Sequence, residues 1–479
     1  MAYFNAFLNI KIFYSFFEKI IIYTTGFFSK IMKKGKKEII YYFILNLISK
    51  VFTYFLLLVF ASLFIPSDYG EAAFIYSFFS VVTIFILFGI PDIFVVWFIK
   101  KKDVSSVFYF LISLTVFFMV VGLIISLKYI LVLPLVLSLP FLLLRGIGYS
   151  FFKIKYKYHL FQFFELLFGI IILVFIILLK NLGAFGIISG YALGYVLTSL
   201  VVIWLTRKEI LNVIKSIKLN FLVIKRYIKD SFIISLLTLS FAFLSWTDSI
   251  ILGLLSTFES VAKYNIASPI SFVTLAIPLA LSQFLLNRSA QLKNEKSSLS
   301  ILERTLRISL SSSLLFAIVL GSLISLIIKI FFPVYIGIEI YIIILLIGVM
   351  FCSLYSLLSV YSVGISKPEQ ALTPFLISVL INIVLDIILI PKFGLYGICI
   401  ATTIAHITAW TLYGFKMNLL KKFALVYLSP IFIILTFYLN YYGLFLLLFL
   451  VPALFYFKLI QKQDLQIIIG TIKGLLKNG

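Results

Sequence analysis

The sequence predicts an all-α polytopic membrane protein of about 14 transmembrane helices: two six-helix lobes followed by two C-terminal helices. Three observations predict it. Of 479 residues, 63% are hydrophobic and 12% charged, against about 45–50% and about 25% in soluble domains; the mean hydropathy is +1.20. No water-soluble fold covers that much apolar side chain. The apolar runs also have the length a helix needs to cross the bilayer, about 20 residues, whereas barrel strands alternate over about ten. Finally, the basic residues are segregated into alternate loops.

The helical runs follow one another with short, mostly basic connections. Runs 39–64 and 71–99 precede Lys100–Lys102, and 104–127 and 130–149 are joined at Lys128. Lys153, Lys155 and Lys157 lead into 160–179, and Lys180 lies before 183–205. A basic segment, 206–230, leads to 231–255 and 260–287, and a second, 288–307, leads to 307–331 and 337–363. Lys367 precedes 370–390, Lys392 precedes 394–416, and Lys416, Lys421 and Lys422 precede 423–441 and 443–459. With the N-terminus inside, inside segments hold 33 Lys and Arg and outside loops hold four. That bias places both termini in the cytoplasm and the chain in the cell membrane. It also accounts for the net charge of +23 without nucleic acid. Cys352 and Cys399 both lie inside apolar runs, so there is no disulfide framework and no CxxC motif.

Residues 1–38 are apolar but broken by Lys11, Glu18 and Lys19, and read as a cytoplasmic, interfacial N-terminal segment. A fifteenth span is the alternative, and would put the N-terminus outside. In 206–230, Ile210, Ile214, Ile217, Phe221, Ile224 and Ile228 recur every three to four residues between lysines. That spacing predicts an amphipathic cytoplasmic linker helix. The division is then 1–38, an N-lobe over 39–205 (helices one to six), the linker over 206–230, a C-lobe over 231–416 (helices seven to twelve), and 417–479 with helices thirteen, fourteen and a basic cytoplasmic tail.

A repeat supports the two lobes. Lys180-Asn-Leu-Gly183-Ala-Phe-Gly186-Ile between helices five and six matches Lys392-Phe-Gly394-Leu-Tyr-Gly397-Ile between helices eleven and twelve. Each has a basic residue, then Gly-x-x-Gly-Ile, six helices apart, as in transporters built from parallel repeats.

Several motifs then align in order. Ser67-Asp-Tyr-Gly70 follows helix one, and Trp246-Thr-Asp248-Ser-Ile-Ile-Leu-Gly253 lies in helix seven, followed by Ala262-Lys-Tyr264. Gly364-Ile-Ser-Lys-Pro368 precedes Asn382-Ile-Val-Leu-Asp386, Gly394-Leu-Tyr-Gly397 and Ala401-Thr-Thr403. From residue 67 to about 416 the chain resembles the polysaccharide flippases of the multidrug/oligosaccharidyl-lipid/polysaccharide exporter superfamily. Asp386 departs from that pattern, where a small polar or apolar residue is usual. The resemblance implies two lobes in a V around a central cavity open to one side at a time. It implies transport of a polyprenyl-linked oligosaccharide from the cytoplasmic to the outer leaflet for cell-surface glycan synthesis, with neighbouring glycan-synthesis enzymes as partners and no cofactor.

Charged groups inside a membrane are expensive and mark function by default. Lys50, mid-helix one, and Arg145, near the inner end of helix four, are the candidate cavity cations for a pyrophosphate headgroup. Asp92, Asp248, Asp386 and His406 are the candidates for ion or proton coupling; Asp92 could pair with Lys50 or Arg145, or satisfy a kink. Glu165 and His159 are expected at the interface, and Lys263 as a snorkelling residue. Pro269 and Pro278 are the candidate hinges. The two histidines cannot build a HExxH site, and no GxxxxGK[ST] phosphate loop is present. A cation-coupled multidrug exporter of the same fold is the alternative; Lys50 and Arg145 weigh against it. A membrane glycosyltransferase or sugar polymerase is the third reading, but it would need acidic residues on a sizeable outer loop, and every predicted outside loop is short. Cysteines placed at Lys101, Lys155 and Ser297 should label with an impermeant maleimide only from the cytoplasmic side, and those at Ser67, Lys180 and Lys392 only from outside. Outside labelling at Ser297 would break the two-lobe topology.

Overall fold

The computed structural model describes residues 34–456, apart from 89, 91, 101–103, 156, 216–219, 292–294 and 366. Most of the expected interfacial segment 1–38 and the tail beyond 456 lie outside the described residues. Every described regular element is helical. In order they are α1 Lys34–Leu63, α2 Pro66–Ile86, α3 Asp92–Ile99, α4 Ser105–Ser126, α5 Leu133–Ile154, α6 Tyr158–Leu178, α7 Gly183–Lys215, α8 Phe221–Ala242 and α9 Asp248–Leu255. There follow α10 Phe258–Phe272, α11 Ala276–Gln291, α12 Glu295–Phe331, α13 Glu339–Gly364, α14 Glu369–Phe393, α15 Leu395–Lys416, α16 Ser429–Leu439 and α17 Leu446–Tyr456.

Ten described stretches are long and apolar enough to cross a membrane, so the chain is a multi-pass membrane protein. Lipid requires this economy, because every backbone group must bond within its own helix. Three expected runs are interrupted. The run 71–99 divides into α2 and α3, just before which Pro91 removes a backbone donor. The run 231–255 divides into α8 and α9 at a π-helical turn, Phe243–Thr247. The run 260–287 divides into α10 and α11 at a 3₁₀ turn, Val273–Leu275, between Pro269 and Pro278. The expected free-standing linker helix over 206–230 is also different. Helix α7 continues unbroken to Lys215, burying Ile210 and Val213. Helix α8 starts afresh at Phe221, where Asn220 Oδ1 accepts the N–H groups of Leu222 (3.0 Å) and Val223 (3.3 Å). That is an N-cap, satisfying donors a first turn leaves free.

In the first half of the chain α1 packs on α6, α5 on α7, and α2 on α7. In the second half α13, the most buried of the ten stretches, is surrounded by α10, α11, α12 and α15, with α14 along α15. Helix α16 and the 3₁₀ turn Asn440–Phe445 lie against α12. The two Gly-x-x-Gly turns are built alike. Gly183 sits at φ 56°, ψ −133° and Gly394 at φ 53°, ψ −126°, a region side chains with a Cβ rarely adopt.

The halves meet most closely where α2 crosses α10. A Cβ on Gly70 would lie 1.7 Å from the carbonyl oxygen of Phe258 and 3.1 Å from the Ala262 nitrogen, so the two backbones touch. Phe74 lies beside this crossing, tilted against Phe258 at 5.6 Å. The Asp-Tyr-Gly turn has a job for each residue. Asp68 lies against Gly183, Tyr69 stacks on Phe60 at 5.4 Å, and Gly70 admits the α10 backbone. At the opposite end, Trp97 Nε1 donates to Asp230 Oδ2 (3.0 Å) and Tyr227 Oη to the Phe88 carbonyl (3.0 Å), linking α3 and the end of the α2 run to α8. Gly70→Val should separate α2 from α10 and destabilise the protein by about 1–3 kcal/mol, the usual range for overpacking. Thermal unfolding of the purified protein in detergent measures it; an unchanged midpoint would contradict the backbone contact.

Candidate functional site

A cavity of about 280 Å³ lies where the two halves of the chain face each other. Thr53, Tyr54, Leu57 and Phe60 of α1 form one wall, with Tyr69, Ala73 and Tyr76 of α2 and Tyr191 of α7 beside them. Trp246 of the π turn, Ser249 of α9, and Tyr264, Asn265 and Pro269 of α10 form the other. The α2–α10 crossing at Gly70 adjoins one end of it. Among the described residues lining this space none is charged.

Behind the α10 wall sits a second, buried arrangement. Asp248 and Asp386 are both fully buried and face each other across α9 and α14. Thr402 donates to Asp248 Oδ2 at 2.7 Å and also bonds the Ile398 carbonyl at 2.9 Å. Tyr264 donates to the same Oδ2, and Asn382 adjoins it. Asp248 Oδ1, both Asp386 carboxylate oxygens and Asn382 Nδ2 have no hydrogen-bond partner among the described residues. Two carboxylates without a basic neighbour cannot both stay ionised in lipid. A shared proton or a bound cation relieves them, and oxygen donors of this kind suit a hard cation. Among the described residues there is no group of three or more His, Cys, Asp or Glu that could hold a metal ion. Tyr264 belongs to both places: its ring lines the cavity and its hydroxyl holds Asp248.

The sequence-level candidates fall into different places. Asp248 and Asp386 come together. His406 lies one turn beyond Thr402 on α15, where Nδ1 bonds the Tyr355 hydroxyl at 3.1 Å and Nε2 has no partner among the described residues. Pro269 lines the cavity, and Pro278 is buried in the first turn of α11. The side chains of Lys50 and Asp92 lie outside the described residues. In the sequence Lys50 stands three, four and seven residues before the lining residues Thr53, Tyr54 and Leu57.

Arg145 differs from expectation. It does not line the cavity, and its charge is already matched: Nη2 bonds Glu165 Oε1 at 2.7 Å and Nε bonds the Tyr149 hydroxyl at 2.7 Å. The rings of Phe168 (4.5 Å), Tyr149 (5.0 Å) and Tyr195 (5.5 Å) enclose the guanidinium. Glu165, expected at the interface, is its partner because consecutive helices α5 and α6 bring Arg145 and Glu165 together across their short connection. The pair is tied to the cavity by one hydrogen bond, between the Tyr195 and Tyr76 hydroxyls at 3.0 Å. Asn382, Thr402 and Tyr264 were missed as site residues because they are neutral. Asn382 precedes Asp386 by four residues, one helical turn, and that spacing could have found it. Arg145→Met leaves a carboxylate without its cation. The loss should reach about 3 kcal/mol, the low end for a buried pair, since the Glu165 side chain is 34% exposed. Arg145→Met with Glu165→Met should recover most of it in thermal unfolding; no recovery would mean the pair is not coupled.

No protein-family model matches the chain, and no curated protein does either. Solved structures do. A structure of the lipid II flippase MurJ in an inward closed conformation matches over 88% of this chain and 99% of its own, with TM-score 0.70 and 20% identity. An inward-facing MATE-family multidrug resistance transporter of the MOP superfamily matches over 84% and 99%, with TM-score 0.57 and 14% identity. MATE in complex with MaD3S matches over 81% and 98%, with TM-score 0.52 and 16% identity. The chain has the all-helical membrane-protein fold that the MurJ flippase and the MATE transporters share.

Proposed function

We propose that this protein is a flippase that moves a lipid-linked, pyrophosphate-bearing oligosaccharide from the cytoplasmic to the outer leaflet by alternating access, coupled to a cation held by Asp248 and Asp386. The observation that carries the reading is the pairing of two features across one side chain. A polar, aromatic cavity between the halves of the chain shares Tyr264 with a buried pair of carboxylates, three of whose four oxygens have no hydrogen-bond partner among the described residues.

Residues 39–205 and 231–416 are the two rocking lobes, and the α2–α10 crossing is the closed outer gate. A headgroup enters from the inner leaflet, and its pyrophosphate meets Lys50 of α1. Asp248, Asp386, Asn382 and Thr402 hold the coupling cation, which neutralises the carboxylate pair. Loss of that cation frees Asp248 to pull on the Tyr264 hydroxyl, and through it on the cavity wall. The 3₁₀ turn between Pro269 and Pro278 is where α10 and α11 hinge. A potential negative inside favours both outward movement of the anionic headgroup and inward movement of the cation, by about 2.3 kcal/mol per charge per 100 mV. No nucleotide is then needed.

A multidrug exporter with organic cations as cargo is the second reading, favoured by the two acidic side chains. It is weakened by their position, since neither lines the cavity. The test is reconstitution in vesicles with a short-chain prenyl-pyrophosphate sugar, reading leaflet access. Wild type should deliver it outward. Lys50→Gln and Asp248→Asn should each lose most of that activity at matched protein levels, with Lys50→Arg retaining part and Lys263→Gln retaining most. Export of lipophilic cations with no movement of the lipid-linked sugar would overturn the flippase in favour of the exporter.

A further inference from the structure

Resting on the flippase reading, we propose that the cavity recognises the sugar itself, through an aromatic platform, and that it selects an uncharged glycan. The sequence pointed to a cavity built from cations. The described lining instead contains no charge of either sign, and seven of its residues are aromatic. The rings are organised into a continuous wall. Tyr76 stacks on Tyr191 at 4.2 Å, Tyr191 lies over Phe60 at 6.2 Å, and Trp246 meets Tyr76 edge-on at 5.7 Å. Trp246 comes from the C-terminal half and the other three from the N-terminal half, so the platform spans the interface between them.

An aromatic face carries negative quadrupole density. The C–H face of a pyranose ring is apolar and slightly positive, and it packs against such a surface without leaving a polar group unpaired. The hydroxyls at the sugar's edge then need partners. Asn265 and Ser249, bonded to each other at 2.9 Å, and the Tyr54 hydroxyl supply them from the same lining. At about 280 Å³ the space is at the small end of ligand pockets, which run to about 1,000 Å³. It therefore holds the first sugars beside the lipid rather than a long chain.

The same walls reject charge. A uronate or a second phosphate lodged among these rings would lose its water with no cation to replace it. The described residues offer none: Arg145 is matched by Glu165 and screened from the cavity by Tyr195 and Tyr76. In the sequence of α1, Lys50 precedes the lining residues Thr53 and Tyr54 by one turn. That order, a cation first and neutral rings deeper, matches a ligand whose pyrophosphate stays at the leaflet while its sugar enters the cavity.

The experiment uses the full-length protein in nanodiscs and three short-chain carriers: a bare prenyl pyrophosphate, one bearing a neutral disaccharide, and one bearing a disaccharide with a uronic acid. Binding is measured by calorimetry. The neutral sugar should raise affinity at least about tenfold over the bare carrier, and the acidic one should not. One aromatic contact is worth up to about tenfold, so Tyr191→Leu and Trp246→Leu should each remove most of the ratio between neutral-sugar and bare-carrier affinity. Tyr191→Phe should keep it. Equal binding of all three carriers, or preference for the acidic sugar, overturns the platform and leaves the flippase standing. Failure of every carrier to bind, with binding of lipophilic cations instead, overturns both. The comparison of carriers on the wild-type protein decides the matter even where a variant fails to fold.

Discussion

The contact on which the rest of this structure depends is the crossing of α2 over α10 at Gly70. There the two halves of the chain meet backbone to backbone, with only a hydrogen atom on the glycine side. Side-chain contacts between membrane helices can slide or change rotamer, but a backbone contact of this kind is either made or lost. It fixes how near α1 and α2 come to the π turn and α10, and so sets the width of the cavity. It also fixes Tyr69, next to Gly70, and Tyr76, six residues further along α2, as wall residues rather than lipid-facing ones.

Buried polarity is handled in opposite ways on the two sides of that crossing. In the N-terminal half, Arg145 and Glu165 compensate each other, Tyr149 takes a further guanidinium N–H, and aromatic rings enclose the rest. Nothing there asks for a ligand. In the C-terminal half, Asp248 and Asp386 have neutral neighbours and orphaned oxygens. In a protein interior such groups are normally partnered, so the imbalance is itself the functional signal. The π turn Phe243–Thr247 stands between the two regimes. It places Trp246 in the cavity and starts α9 at Asp248, two residues later. Single π turns inside helices recur at functional sites because they re-aim side chains without ending the helix.

Much of the fold was legible because lipid makes the rules severe. A run of about 20 apolar residues has few fates, and basic clusters mark its ends. The Gly-x-x-Gly turns were legible too, since both glycines are needed for a conformation other residues avoid. Two prolines, Pro269 and Pro278, flag the 3₁₀ turn between them, but composition could not show the π turn before Asp248, which looks as apolar as its surroundings. Nor could it show the destination of a lone charge. Asp248 and Asp386 stood out as acids in apolar runs, but whether Arg145 faced cargo or a carboxylate depended on the rotation of α6, which a uniformly apolar helix does not encode. The neutral residues of both sites, Thr402, Asn382 and Tyr264, carry no such flag.

The two glycine turns have a consequence for how the chain is made. Each joins helices that are adjacent in sequence and packed along their length, α6 with α7 and α14 with α15. Such hairpins close over short loops, where the entropic cost of closure is small. Each can form as soon as its second helix has left the ribosome and entered the bilayer. The contacts joining the halves, α2 to α10 and α9, link residues nearly 200 positions apart and must wait for the second half to be synthesised. Assembly is thus divided in time: two hairpin-built units first, and the cavity last, assembled only when both are in place.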